Sequence, residues 1–494
     1  MTEAEKESST GERMLFPAST LWILFCGALT LVASPLLSYP WLCVLCVLAQ
    51  LAILVLVWRE VRRLLSLVSL VALSWFFYYT VRMVTIMVAT TDTYDHPAVA
   101  NADEQLRAEI WIGSTCALAV FAAGMLWGRA VSRPRTFGPL THSAEPVLRW
   151  IGFVGVLGTA AFNTVGIESG ILGNILQSYL FAIAGLMFIS ARRRRYLPAD
   201  IVLVFLAVAL GILLNFKEPA VSALLAALIG YLAAGRRIRI RVLVVGCLVG
   251  VVMFSGIQAQ RIARVQDPSS AAQGPEQFVS SFTDGFTRYN LAYGTAEEQS
   301  GISLLTNPFL GVLNRVKASD ALFALRARVP DEIPFQEGKT LVEPTLSALP
   351  VPLPFALDFN QLSLGRYFSL NFWSLNPDSD QSSQALTVVG DLYLNWGWTG
   401  VIVVMPLFGF ATGLIDRRYL TSSLVGAGTL AYALVPLLTL DRNIAYQVVT
   451  VGIRLVAALA IARLITTAVT VTDRSSLDGG AAKSSGLRSI GLDP

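Results

Sequence analysis

The sequence predicts an all-α polytopic membrane protein with about twelve transmembrane helices and one large, partly helical external loop. Three observations predict this fold class. Hydrophobic residues make up 54% of the 494 residues and charged residues 14%, and the mean hydropathy is +0.61, as is typical of integral membrane proteins. Apolar segments long enough to cross a hydrocarbon core of about 30 Å recur along the chain. One polar or mixed stretch of 130 residues, 258–387, interrupts them.

The apolar pattern divides the chain into five regions. We predict a cytoplasmic tail over 1–20, membrane helices 1–9 within 21–257, the external loop over 258–387, membrane helices 10–12 within 388–471, and a disordered cytoplasmic tail over 472–494, which is rich in Ser, Gly and Asp. The twelve predicted spans are Leu21–Leu37, Trp41–Val57, Leu64–Val88, Ile110–Trp127, Trp150–Val165, Leu172–Ser190, Ala199–Asn215, Ala220–Ala234, Val242–Ile257, Trp398–Ile415, Ser422–Leu440 and Ala445–Thr466.

The placement of basic residues predicts the orientation. Alternate short connectors carry 17 Arg residues: Arg59, Arg62, Arg63, Arg129, Arg133, Arg135, Arg149, Arg192, Arg193, Arg194, Arg195, Arg236, Arg237, Arg239, Arg241, Arg417 and Arg418. The opposite short connectors hold only Arg82, Arg107, Lys217 and Arg442. Since short cytoplasmic loops are enriched in Lys and Arg, both termini are predicted to be cytoplasmic and the long loop external.

Composition also bears on other classes of site. The five cysteines (Cys26, Cys43, Cys46, Cys116 and Cys247) all fall in predicted spans, so no disulfide framework is expected outside. The chain has only two histidines, and no metal site or cofactor is predicted. One external connector places His96 beside Asp92, Asp95, Asp103 and Glu104; it is a solvated loop or, alternatively, a carboxylate site for a divalent cation. The net charge of +4 reflects anchoring Arg residues, so no nucleic acid partner is expected.

The long loop has a mixed character. It holds nine Lys or Arg against thirteen Asp or Glu, so it is no general anion trap. The segment Phe278–Leu325 has helical spacing of apolar residues, whereas Leu349–Phe355 (L-P-V-P-L-P-F) is predicted to be extended. Arg366, Tyr367 and Asn371 follow it. This mixture suits a sugar-binding cleft, and it also occurs at membrane–water interfaces.

Charged residues cluster where predicted spans reach the external side. Charges at membrane depth are costly and usually functional. Several cations at one leaflet predict a site for an anionic lipid head group or a phosphate; the alternative is snorkelling or a local pair with Glu218 or Asp441. The residues concerned are Arg82, Lys217, Glu218, Arg261, Arg264 and Arg442.

Four short motifs in this chain resemble those of a known protein family. They are I-P-F-Q-E-G-K-T-L (Ile333–Leu341), L-G-R-Y-F (Leu364–Phe368), G-D-L-Y-L-N-W-G-W-T-G (Gly390–Gly400) and D-R-N (Asp441–Asn443). Together with the late external loop, they resemble the Wzy-type polymerases of O-antigen or capsular repeat units, which are related to the O-antigen ligases. The chain differs in having no cation in the Pro-rich centre, Lys217 where relatives often carry Arg, and no loop His of the kind that ligases use.

The resemblance implies a membrane glycosyltransferase of the bacterial cytoplasmic membrane. Its substrate would be an oligosaccharide on undecaprenyl pyrophosphate, and flippase and chain-length regulator proteins would be partners along with membrane lipids. Cations would stabilise the leaving pyrophosphate without a metal, and a carboxylate would serve as general base. The predicted catalytic residues are Arg82, Arg261, Arg264, Arg366, Arg442 and Asp391, with Glu343 or Asp358 as other bases; the predicted substrate-binding residues are Lys217, Glu218, Arg288, Tyr367, Tyr393 and Asn395.

Two other functions fit parts of the pattern. A polyprenyl-phosphate-dependent transferase of single sugars would use an acidic external loop and a cation, which the acidic connector allows. A polysaccharide or lipid transporter would suit twelve spans, but it gives no reason for a loop of this length.

Overall fold

The structure is a computed structural model that describes most of the chain outside the predicted loop. The described residues are 17–61, 66–88, 97–133, 144–165, 171–213, 217–237, 318–347, 363–372, 386–419, 423–438 and 442–486, with isolated residues between 241 and 309. The α-helices are α1 (Ala18–Ala33), α2 (Tyr39–Val61), α3 (Leu67–Trp75), α4 (Arg82–Val88), α5 (Pro97–Ala100), α6 (Glu104–Val131), α7 (Ala144–Val165), α8 (Ile171–Leu176), α9 (Tyr179–Arg193), α10 (Pro198–Leu213), α11 (Lys217–Ala233), α12 (Ala318–Arg326), α13 (Lys339–Ser347), α14 (Ser363–Phe372), α15 (Val388–Tyr419), α16 (Leu424–Thr429) and α17 (Ile444–Gly486).

Several of these helices continue into tighter or wider turns. A 3₁₀ turn over Ser34–Leu36 follows α1, and a π-helical turn over Phe76–Val81 joins α3 to α4. A π-helical turn over Leu430–Leu434 and a 3₁₀ turn over Val435–Leu438 follow α16. Since a π-turn leaves the regular i→i−4 pattern, each of them marks a local departure within an otherwise apolar helix.

Seven helical segments in the described part of the chain are long and apolar enough to cross a membrane, as a multi-pass membrane protein requires. They are Ala18–Leu36, Tyr39–Val61, Leu67–Met87, Glu104–Val131, Ile171–Arg193, Val388–Arg418 and Ile444–Thr467. Three shorter apolar helices cover Pro198–Gly211, Ala220–Ala233 and Leu424–Leu438. The predicted span Trp150–Val165 is helical within α7, and most of Val242–Ile257 lies outside the described residues. The count of twelve spans and the external position of the loop stay predictions.

The structure differs from the sequence prediction in three places. Tyr289–Asn290 (β1) pairs antiparallel with Thr295–Ala296 (β2), inside the segment predicted to be helical, because Tyr and Thr favour extended backbone. Helix α15 starts ten residues before the predicted span. Helix α17 continues to Gly486 through a stretch predicted to be disordered, and no proline interrupts it. The Pro-rich centre, Leu349–Phe355, lies outside the described residues.

The chain forms two compact units, and each is described by itself. Unit 1 comprises Met1–Pro134, Ala318–Thr340 and Gly365–Arg418; unit 2 comprises Arg135–Lys317, Leu341–Leu364 and Tyr419–Pro494. Unit 1 therefore combines the first predicted membrane helices, one part of the predicted loop and the long helix α15.

Helices α6 and α15 of unit 1 approach each other closely through glycines. Both carry a Gly-xxx-Gly pair, Gly124 with Gly128 on α6 and Gly409 with Gly413 on α15. A methyl group on Gly128 would overlap the carbonyl oxygen of Phe410, and a methyl on any of the other three glycines would overlap a backbone oxygen of the facing helix. The contact positions advance together along both helices, so the two run parallel. Small residues spaced four apart let helix backbones approach closely in a membrane.

The two ends of unit 1 carry different polar contacts. At one end, Asp416 of α15 accepts a hydrogen bond from the backbone N–H of Leu67 at 2.7 Å and forms an ion pair with Arg129. Leu67 is the first residue of α3, whereas Arg129 and Asp416 lie in the last turns of α6 and α15. Helix α3 therefore runs antiparallel to α6 and α15. The opposite end therefore holds Arg82 and the first turns of α6 and α15, and it is there that the candidate site lies.

Unit 2 is organised around α9, which packs on α7, α11 and α16. A buried cation lies ten residues into α17. Arg454 is 3% exposed, and its guanidinium donates to Asn174 Oδ1 at 2.9 Å, to Gln177 Oε1 and to the carbonyl of Tyr432 at 3.4 Å. These neutral oxygens join α17 to the end of α8 and to the π-helical turn Leu430–Leu434.

Candidate functional site

The helical geometry of α15 is interrupted at Trp396 and Gly397. Trp396 has φ −145° and ψ 16°, and Gly397 has φ 63° and ψ −159°. The second pair of angles is essentially restricted to glycine, so the sequence W-G sets the place of the break. The break falls within the motif Gly390–Gly400.

The segment 336–338 satisfies backbone groups that the break leaves without helical partners. The N–H of Gln336 donates to the carbonyl of Leu394 at 3.0 Å, and the N–H of Glu337 donates to the carbonyl of Asn395 at 3.2 Å. The N–H of Gly338 donates to Asn395 Oδ1 at 2.7 Å. Glu337 and Gly338 have positive φ values of 49° and 92°, which turn three successive N–H groups toward the break. We call residues 335–340 together with 391–400 the motif junction.

Three polar side chains lie at the centre of the motif junction. Thr340 Oγ1 donates to Asp391 Oδ1 at 2.5 Å. Asn395 Nδ2 donates to Thr340 Oγ1 and to the main-chain oxygen of Asp391, the latter at 2.7 Å. All three residues are 0% exposed. Asp391, a predicted catalytic base, therefore lies inside the junction, where its carboxylate joins the two motif segments.

Aromatic rings cover one side of the motif junction. Phe335 and Tyr393 have ring centroids 6.4 Å apart, and Tyr393 and Trp398 have centroids 5.2 Å apart, both in edge-to-face geometry. A Cβ on Gly338 would lie 2.9 Å from Trp396 Cζ2, so only glycine fits there without a shift. Tyr393, a predicted substrate-binding residue, is 3% exposed and is part of this packing.

A partly exposed ion pair connects the motif junction to α6 and α12. Trp398 Nε1 donates to Glu109 Oε1 at 2.9 Å, and Arg326 Nε donates to both oxygens of Glu109 at 2.9 and 3.1 Å. Arg326 and Glu109 side chains are each 30% exposed. The hydrogen bond to Glu109 raises the pKa of the Arg326 guanidinium further, so this cation keeps its charge.

Arg82, a predicted catalytic cation, is paired with a carboxylate of the predicted loop. Its Nε donates to Asp320 Oδ1 at 2.8 Å and its Nη2 donates to Asp320 Oδ2 at 2.7 Å, a bidentate geometry. The side chains are 11% and 0% exposed. The charge of Arg82 is therefore neutralised by α12, and the pair fixes this helix on the end of α4.

More accessible polar groups lie at the ends of α12 and α14. Arg328 Nε donates to Glu332 Oε2 at 2.6 Å, its Nη1 donates to the carbonyl of Asn371, and its side chain is 42% exposed. Burial raises the pKa of the Tyr367 phenol, and the nearby Arg328 guanidinium opposes that shift. We call Arg328, Glu332, Tyr367 and Asn371 the Arg328 cluster. Arg366, a predicted catalytic residue, is half-buried on the same helix as Tyr367.

The other predicted residues lie in unit 2 or outside the described residues. Arg442 is exposed in unit 2, with its guanidinium carbon 5.2 Å from the ring centroid of Tyr446. Lys217 and Glu218 begin α11, and their side chains lie outside the described residues. Arg261, Arg264, Arg288 and Asp358 also lie outside them. Glu343, the other predicted base, lies on α13 in unit 2.

The acidic connector is described only in part. Asp103 caps α6, because its Oδ1 accepts a hydrogen bond from the N–H of Leu106 at 2.7 Å. Asp92, Asp95 and His96 lie outside the described residues. Within the described ranges, no group of three or more His, Cys, Asp or Glu side chains is placed to hold a metal ion.

Sequence reasoning missed four residues of the site. Glu109, Asp320, Thr340 and Arg328 each contact a partner far away in the sequence. Thr340 lies in the motif Ile333–Leu341, two residues after Gly338, and a polar residue this close to a motif glycine is a signal that could have identified it. Glu109, Asp320 and Arg328 are charged, but the charge of a residue alone does not identify which distant residue it contacts.

Comparison of the chain with models of known families, with curated proteins and with solved structures gave no match. The chemistry that the site supports therefore follows from its own residues. A rigid, buried junction carries a rim of partly exposed guanidinium groups, with a phenol and carboxylates beside them. Such a rim can bind a phosphate and the hydroxyls of a sugar.

Proposed function

We propose that this chain polymerises oligosaccharide repeat units linked to undecaprenyl pyrophosphate, at the outer face of a bacterial cytoplasmic membrane. One observation carries the proposal. The segments Ile333–Leu341 and Gly390–Gly400, which bear two of the motifs of the Wzy-type resemblance, are bonded to each other in the motif junction. Motifs that share a site are expected to lie together, whereas motifs of unrelated origin are not.

Glycosyl transfer from a lipid pyrophosphate requires cations near a surface that the substrate can reach. A hydroxyl of one repeat unit attacks the anomeric carbon of another, the bond to the lipid pyrophosphate breaks, and the hydroxyl proton passes to a base. Charge develops on the pyrophosphate, and guanidinium groups stabilise it without a metal. Arg326 and Arg328 are the partly exposed cations of the rim, with side chains 30% and 42% exposed, and Arg366 lies on the neighbouring α14.

The positions of other predicted residues favour supporting roles. Asp391 and Asn395 are fully buried and hold the junction together. Arg82 holds α12 through Asp320. Tyr367 keeps its proton at neutral pH, because its pKa is raised, so it can donate to a sugar hydroxyl or pack on a sugar ring. The flippase and chain-length regulator partners follow from the resemblance and remain part of the proposal.

The test is to size the lipid-linked saccharides in cells of the source organism that lack this gene. The proposal expects one intact repeat unit to accumulate, and expects wild-type protein to restore long chains. Arg328→Gln should leave chain extension at least about tenfold lower, since a lost charge-assisted contact in a transition state costs 1.4 kcal/mol or more. Arg133→Gln, which removes an exposed cation outside the site, should extend normally.

Two outcomes would refute the proposal. Accumulation of a unit that lacks one sugar would identify a single-sugar transferase instead. Normal chain extension in the deleted strain, with a defect only in where the lipid-linked unit is found, would identify a transporter.

A further inference from the structure

A cavity lies between the beginning of α1 and the end of α2 in unit 1. Its volume is about 450 Å³, and it is lined by Ala18, Ser19, Trp22, Leu56, Arg59 and Glu60. This volume falls within the roughly 300–1,000 Å³ of small-molecule sites. The cavity lies at the end of α2 opposite Tyr39, the residue whose hydroxyl accepts a hydrogen bond from Trp111 Nε1. None of the residues that line the cavity belongs to the motif junction.

One part of the cavity presents hydrogen-bond donors to an anion. Helix α1 starts after Pro17, which provides no side-chain cap. The N–H of Thr20 donates to the carbonyl of Pro17 at 2.9 Å, so the N–H groups of Ala18 and Ser19 are the ones that face this end of the 16-residue helix without a helical partner. Arg59 is exposed in the last turn of α2, and no described carboxylate lies within ion-pair distance of it. These donors together suit a phosphate.

Another part of the cavity presents an acceptor to a cation. Glu60 is exposed beside Arg59, and it forms no ion pair with any described residue. The end of α2 also carries the partial negative charge of a helix C-terminus. Within the described residues, neither the cation nor the anion of this cavity has an ion-pair partner. The cavity is therefore complementary to a zwitterion, because an ion of a single charge would leave one of the two unmatched.

The remaining walls suit a lipid. Trp22 is 61% exposed, and Leu21 and Phe25 beside it on α1 are 66% and 53% exposed. Exposed tryptophan is typical of the membrane–water interface, where its ring packs along acyl chains near the head groups. Leu56 provides a further apolar contact. The charged end and the apolar end of the cavity therefore match a head group and its chains.

We propose that this cavity binds the head group of a zwitterionic phospholipid with a primary ammonium. The phosphate lies against Arg59 and the N-terminus of α1, and the ammonium donates hydrogen bonds to Glu60. A quaternary ammonium cannot donate, and a head group without an amine leaves Glu60 unmatched. The site is independent of the function proposed above, and its occupant is part of the membrane that surrounds α1.

The test is native mass spectrometry of the full chain in detergent, with phosphatidylethanolamine, phosphatidylcholine or phosphatidylglycerol added separately. Wild type should retain phosphatidylethanolamine about fivefold better than the other two, the scale of one partly exposed ion pair. Arg59→Gln should lower the retention of all three. Glu60→Gln should remove the preference for phosphatidylethanolamine and keep the rest. Arg133→Gln is the matched control and should behave as wild type.

Equal retention of the three lipids by wild type, or an unchanged preference in Glu60→Gln, would overturn the proposal. Soluble phosphoethanolamine that displaces the lipid at equal concentration would show that the site takes a soluble zwitterion instead. A rise of more than about tenfold in lipid retention on removal of residues 2–13 would show that this terminal segment is the occupant.

Discussion

Replacing Asn395 by alanine tests the motif junction most sharply. The Asn395 amide accepts from the N–H of Gly338 at 2.7 Å and donates to the carbonyl of Asp391 at 2.7 Å and to Thr340 Oγ1. Asn395 is 0% exposed, so water does not replace the hydrogen bonds that its partners lose. Leaving about two buried polar groups unsatisfied costs about 2–4 kcal/mol, which corresponds to roughly 30- to 1,000-fold in a local opening equilibrium.

Hydrogen–deuterium exchange of the purified protein measures that opening. The backbone N–H groups of residues 336–338 should exchange roughly 30- to 1,000-fold faster in Asn395→Ala than in wild type. Residues 318–326 should be unchanged, because Asp320 holds α12 through Arg82 instead. Asn395→Asp should exchange at least as fast as Asn395→Ala, since a second carboxylate would lie near Asp391 Oδ1, which is 3.4 Å from Asn395 Nδ2.

Asn101→Ala is the control, because Asn101 is exposed in a turn of unit 1 and its loss should be within about 0.5 kcal/mol of neutral. Exchange in the 336–338 segment that stays at the wild-type rate in Asn395→Ala would show that the Asn395 amide does not hold this segment.

Three further substitutions test the packing of each unit through the stability of the protein in detergent. Gly128→Ala should destabilise by about 1–3 kcal/mol, because its methyl overlaps a backbone oxygen of α15, whereas Gly452→Ala should be neutral since no atom lies within 4 Å of the added methyl. Asp320→Asn should cost about 3–5 kcal/mol by leaving the guanidinium of Arg82 without its counter-charge, and Arg82→Gln with Asp320→Asn should recover much of that loss. Arg454→Met should cost about 1–3 kcal/mol, because its amide partners lose their donor.

Each of these expectations has an outcome that contradicts it. Equal stability of the two glycine variants would mean that α6 and α15 separate easily. A double variant as unstable as Asp320→Asn alone would show that Asp320 acts through contacts other than Arg82. A stable Arg454→Met variant would show that the amides of Asn174 and Gln177 find other partners. Thermal unfolding followed by a scattering or fluorescence readout measures all of them under one condition.

The sequence predicts the apolar helices well and their long-range partners poorly. Seven predicted spans coincide with helices long enough to cross a membrane, because an apolar run of that length is a local property of the chain. The break at Gly397 was also accessible, since glycine in a helical pattern marks a special backbone position. The bulk of the predicted loop, with its Pro-rich centre, lies outside the described residues.

Contacts between residues far apart in the sequence could not be predicted in the same way. Arg82 and Asp320 are 238 residues apart, and a charge seen alone is as compatible with a phosphate as with a carboxylate. Asp391 has the residue type of a general base, but its burial against Thr340 depends on how two distant motifs pack. The parallel contact of α6 with α15 depends on four glycines whose facing positions only the fold shows.

Reconstitution with a lipid-linked substrate measures repeat-unit polymerisation by this protein directly. Purified protein would be incubated in liposomes with a single undecaprenyl-pyrophosphate-linked repeat unit, with chelator present and without any nucleotide sugar, and the products would be sized by mass. A repeat-unit polymerase should produce a ladder whose steps equal one whole repeat unit. A substrate that stays at one unit, or that grows by single sugars only when a polyprenyl-phosphate sugar and a divalent metal are supplied, would contradict it.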